Sequence, residues 1–181
     1  MCQILLTLLR CVAMKRALSS STEADHLNFF KLYDGCLTDV AVLSWIKVFG
    51  GREGHWRRCF TDIYCKDIQI ELEKLVDGDA GYEKLRNEIK NYRDTYVAHH
   101  DLDVTKRAKS HISLDPLKET GEVMYARLFE FLKERDETSG LPLPSQLSGE
   151  SAEQIVAHWS EIALVARLAT SEFTDDDSSQ A

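Results

Sequence analysis

Proline and glycine are scarce in this chain, with 3 Pro and 9 Gly in 181 residues. So few chain breakers exclude a sandwich or barrel of many short strands and favour long helices with short connections. No stretch alternates apolar and polar residues over a useful length, and no internal repeat is visible. Cysteine is sparse and odd in number: Cys2, Cys11, Cys36, Cys59 and Cys65 form no CxxC pair, so neither a disulfide framework nor a zinc site is expected and the thiols read as reduced. No apolar run is long enough to span a bilayer. The first, within MCQILLTLLRCVAMKRALSS, is interrupted by Arg10 and has no basic segment ahead of it, which also makes it a poor signal peptide. Positive charge is in deficit, with 22 Lys and Arg against 30 Asp and Glu. The resulting net charge of −8 argues against a general nucleic-acid coat and leaves room only for a small basic site.

What is present is helical periodicity. Ile4, Leu5, Leu8, Leu9 and Val12 share one face of an N-terminal amphipathic helix, expected to dock on the body or on a partner. The run Cys36–Phe49 is apolar on nearly every side, as a central buried helix would be, with Tyr33-Asp34-Gly35 expected to bend the chain before it and Gly50-Gly51 to end it. His55-Trp56 opens a helix with Trp56, Phe60 and Ile63 on one face, followed by Ile68, Leu72, Leu75 and Val76. Asp79 reads as the N-cap of a helix over 80–100, whose seam is Leu85, Ile89, Tyr92, Tyr96 and His99. Asp115 and Pro116 start the next helix, with Val123, Met124, Leu128, Phe131 and Leu132 inward. Ser151 and Gln154 form a capping-box signature ahead of a last seam of Ile155, Trp159, Ile162, Ala166, Ala169 and Phe173. The expected fold is all-α, an antiparallel bundle of about six helices. The expected division is an N-terminal extension over 1–21, a helical domain over 22–173 and an acidic disordered tail over 174–181.

One stretch reads as chemistry, Arg93 to Asp103, RDTYVAHHDLD. Arg93-Asp94-x-x-x-Ala98-His99 resembles the Arg-x(4–6)-His motif of the HEPN (higher eukaryotes and prokaryotes nucleotide-binding) superfamily. YRDTYVAHHD, together with the upstream WIKVFGGREGHW, is similar to the branch found among abortive-infection phage-defence proteins. The resemblance implies a HEPN-like dimeric helical fold with metal-independent endoribonuclease activity and no cofactor. It also implies cytoplasmic action in defence or as a toxin, with RNA as substrate and an antitoxin or nucleotidyltransferase as partner. Arg93 and His99 would be catalytic, with Asp94 orienting one of them. The chemistry suits these residue types. A histidine with a pKa near 6.5 can take or return a proton, and arginine offers a planar fork that stays charged on a phosphate.

On a straight helix Arg93 and His99 stand about 120° apart, whereas Arg93 and His100 differ by about 20°. Helix geometry therefore favours His100, while the motif favours His99. Arg86 and Lys90 precede Arg93 at i, i+4, i+7 and, with Lys106 and Arg107 on the following loop, form a candidate phosphate-binding patch. The bland alternatives are a core histidine at His99, a local ion pair at Arg93 and Asp94, and a solvated charged strip. Two other functions compete: a HEPN-like binding or dimerisation module without catalysis, and a metal-dependent phosphohydrolase using His100-Asp101 with His55, His99 and Asp103. In that last reading the Gly that usually follows a His-Asp dyad is missing, since Leu102 stands there.

Overall fold

The computed structural model describes residues 1–19, 28–51, 55–98, 112–139 and 150–169. The described residues are helical with no strand, an all-α bundle as expected. Its elements are α1 (Cys2–Ser19), α2 (Asn28–Phe49), a 3-10 turn (His55–Cys59), α3 (Asp62–Leu75), α4 (Asp79–Tyr92), a π-helical turn (Arg93–Ala98), α5 (Asp115–Ser139) and α6 (Ala152–Ala169). No described helix is long and apolar enough to cross a membrane.

Cross-helix pairs fix the directions. Lys15 near the end of α1 pairs with Asp34 near the start of α2, and Arg16 pairs with Asp115 at the start of α5. Both neighbours therefore run antiparallel to α1. Arg127 joins Glu71, and Tyr64 joins Glu134, so α3 and α5 are also antiparallel. Alpha-helix α6 differs: Arg10 lies 5.0 Å over the Trp159 ring and Arg167 donates to the Leu18 carbonyl at 2.7 Å, so α6 runs in the same direction as α1.

The segment expected as an N-terminal extension supplies much of the core. Leu5, Leu8, Leu9 and Val12 are fully buried, and Cys11, Ala13, Ala17 and Leu18 are buried with them. α1 is wedged among α2, α5 and α6, so more of its circumference is covered than one apolar face would suggest. α2 is correspondingly less central than its composition implies. It buries Leu37, Ala41, Val42, Trp45, Val48 and Phe49, but Val40 and Leu43 face solvent. It also runs unbroken through Gly35, where a bend was expected. A lone glycine costs a helix only about 1 kcal/mol, less than the packing of the flanking turns contributes. Gly35 is exposed and a Cβ there would meet nothing within 4 Å. Gly35→Ala should therefore stabilise the fold by roughly 0.5–1 kcal/mol. A raised urea midpoint at constant m-value would bear this out, and a lowered midpoint would refute it.

Several boundaries depart from the periodic pattern. Trp56 is buried in the 3-10 turn and Phe60 packs beside it, but Ile63 lies on α3 and is 74% exposed. The change of helix type between Cys59 and Asp62 rotates it off their face. Asp79 is the first residue of α4 rather than its cap. Gly78 holds the N-cap position at φ 90°, a left-handed value that favours glycine, while its N–H closes α3 onto the Glu73 carbonyl at 2.7 Å. Ser151 and Gln154 do cap α6 reciprocally: Ser151 N–H donates to Gln154 Oε1 at 2.7 Å and Gln154 N–H to Ser151 Oγ at 3.3 Å. The inward stripe of α6 is Ala152, Ile155 and Ala163 with Val156 and Trp159 alongside. Ile162 and Ala166, placed on the seam by periodicity, are exposed, and Phe173 lies outside the described residues. This helix is apolar on two sides, through Leu164, Val165 and Leu168 as well, so spacing places Ile155 and Trp159 inward correctly and loses the inward stripe beyond them.

Candidate functional site

The Arg93 region sits where α4 stops being regular. α4 is strongly amphipathic and buries Tyr82, Leu85, Arg86 and Ile89 against the body. From Arg93 to Ala98 the backbone widens into a π-helical turn. Such turns interrupt the regular hydrogen-bond ladder and recur at functional positions. Each residue of a wider turn advances by less than 100°, so the straight-helix comparison that favoured His100 loses its basis beyond Arg93. His99, His100, Asp101, Asp103, Lys106 and Arg107 lie outside the described residues.

Within the turn, Arg93 Nε donates to Asp94 Oδ1 at 2.7 Å and Nη2 lies 2.6 Å from the same oxygen. Adjacent residues point away from one another on a helix, so the pair closes only because the arginine chain folds back. The Arg93 side chain is 32% exposed and Asp94 55% exposed. At that exposure the pair adds little stability, and its effect is to orient the guanidinium. Lys90, one turn earlier, is partly buried.

Arg86 has a different setting. It is buried at 9% exposure, donates through Nη1 to the Gly51 carbonyl at 3.2 Å, and pairs through Nη2 with Glu83. The structure thus brings the middle of α4 against Gly51, just beyond the end of α2. Arg86 therefore serves to hold α4 to the body through Gly51 and is turned away from solvent.

One residue near the turn, Asp39, was not singled out from sequence. Tyr92 OH donates to Asp39 Oδ1 on α2 at 3.4 Å, and its ring lies 5.1 Å from that of Tyr96. Asp39 could have been noticed as a carboxylate inside the apolar run of α2. Burial, reinforced by the Asp39 carboxylate, pushes the Tyr92 phenol up to about 12. Burial does the same to Tyr82, also to about 12, and raises Cys11 to about 11.

The sign of these shifts gives a pH dependence. A free tyrosine ionises near ~10, so above that pH the unfolded chain loses phenolic protons that the folded chain keeps. The stability tied to Tyr82 and Tyr92 is complete below pH ~10 and is lost as pH rises through about 12. The urea midpoint should fall steeply across that interval, and less steeply in Tyr82→Phe. Equal slopes in the two proteins would contradict the assignment.

Among the described residues no three His, Cys, Asp or Glu side chains converge as a metal site. Comparison with family models, with curated proteins and with solved structures found no match.

Proposed function

We propose that this chain is a HEPN-like, metal-independent endoribonuclease that acts as a homodimer in a cytoplasmic defence or toxin role. The observation that carries the proposal is the π-helical turn beginning at Arg93, with a partly exposed guanidinium oriented by Asp94 at the first position of the motif.

In this mechanism Arg93 holds the scissile phosphate through its fork. The imidazole of His99 accepts the proton of the RNA 2′-OH as the 2′-oxygen attacks phosphorus. The bond from phosphorus to the 5′-oxygen breaks, and that oxygen receives a proton from the second histidine of the dimer. A 2′,3′-cyclic phosphate and a 5′-hydroxyl result. Lys90, Lys106 and Arg107 would guide the RNA backbone, and an antitoxin or nucleotidyltransferase would be the regulatory partner. The test is incubation of the purified chain with single-stranded RNA in excess EDTA, alongside sedimentation. Cleavage by a dimeric species is expected, and intact RNA at every concentration tested would refute the proposal.

One observation favours a second reading, a HEPN-like binding or dimerisation module without catalysis. Arg86, counted from sequence as part of the phosphate patch, is buried and engaged with Gly51 and Glu83, which narrows the basic strip. Dimerisation with no cleavage would select that reading.

A further inference from the structure

A groove of about 450 Å³ opens between α3, α5 and the start of α6, within the size range of ligand and side-chain pockets. Its floor is apolar, from Leu75, Val123, Ala126 and Phe129. Its rim is acidic, from Glu119, Glu150 and Glu153, with Glu122 paired to Lys118 at 2.7 Å. The lining residues on α5 run from Glu119 to Phe129, which at 1.5 Å per residue makes the groove roughly 15 Å long. An elongated apolar floor under a carboxylate rim selects its occupant by charge complementarity. Phosphate-rich ligands are repelled. Lys118 meets part of this charge, at Glu122 directly and at Glu153 through its field, and the four carboxylates outnumber it.

We propose that this groove docks a basic, apolar segment of a partner protein, in which leucine-sized side chains enter the floor and flanking Lys or Arg side chains meet Glu119, Glu150 and Glu153. The site is separate from the Arg93 turn and does not depend on RNA cleavage.

The experiment titrates the full chain into a fluorescein-labelled synthetic peptide of Leu and Lys at helical spacing, read by anisotropy. Saturable binding is expected, with no binding of the same peptide carrying Glu in place of Lys. Glu119→Lys with Glu150→Lys should weaken binding by about tenfold or more, as loss of two rim charges implies. Asp67→Lys with Glu88→Lys makes the same change in net charge at exposed positions outside the groove and should leave affinity within about twofold. Circular dichroism of both variants checks that the helices remain. Equal weakening by both pairs would overturn the proposal, because attraction would then belong to the net charge. Absence of saturable binding would overturn it as well. So would a dimer, seen by sedimentation, that the rim variant alone abolishes, because the occupant would then be a second copy of this chain.

Discussion

His99→Ala should lower RNA cleavage by roughly a hundredfold to ten-thousandfold while leaving the helical spectrum unchanged. The loss follows from chemistry rather than from packing. In the proposed mechanism the His99 imidazole takes the 2′-OH proton, and alanine offers no group to replace it. Arg93→Ala should be comparably inactive, and Arg93→Lys should recover little, because a lysine is a point charge where the phosphate needs a planar fork. Asp94→Asn keeps the size of the side chain but removes the charge that draws in Arg93 Nε and Nη2, so a smaller loss is expected. His100→Ala serves as the internal comparison. If it alone were inactive, the reacting histidine would be His100. Cleavage unchanged in His99→Ala, His100→Ala and Arg93→Ala would remove the site altogether.

Trp45→Ala should be the most damaging change to the fold itself. The Trp45 indole is fully buried, lies 5.0 Å from the Phe49 ring, and donates through Nε1 to Thr120 Oγ1 at 2.9 Å. Thr120 is itself fully buried and donates to the Pro116 carbonyl at 2.6 Å, so one indole joins α2 to the first turns of α5. Removing it leaves a cavity and an unanswered acceptor. The expected cost is about 3–5 kcal/mol, a large share of a typical native stability of about 5–15 kcal/mol. Trp45→Phe fills most of the volume and loses only the hydrogen bond, for about 1–2 kcal/mol. Urea unfolding separates the two, and equal costs would show that packing at this position contributes little.

The all-α class was legible because scarce glycine and proline and sustained three-four spacing point the same way. Capping by Ser151 and Gln154 was legible too, since that signal is local. The seam of α4 appeared where expected through Leu85 and Ile89, which are buried, and continues through Tyr92, which is partly so. What sequence could not give is tertiary choice. Spacing does not say which of two apolar stripes on α6 turns inward, nor that α1 would be enclosed by three helices. Nor does charge spacing reveal that Arg86 is drawn into the body by the Gly51 carbonyl, while Arg93, two turns later on the same face, stays partly open. The π-helical turn is a further case, because a periodic reading presumes a regular helix and so cannot signal its own interruption. Asp39 showed only as a carboxylate within an apolar run, because its relation to Tyr92 spans two helices.

The central claim is that RNA is cut through its own 2′-oxygen, by side chains and without a metal. It is tested most directly with two end-labelled oligonucleotides of one sequence, differing only in a 2′-hydroxyl or a 2′-deoxy sugar at the cleaved position, each incubated with the wild-type protein in excess EDTA. The expected result is cleavage of the hydroxyl-bearing strand to a 2′,3′-cyclic phosphate and no cleavage of the other. Cleavage of both strands, or of neither until a divalent metal is restored, would contradict it.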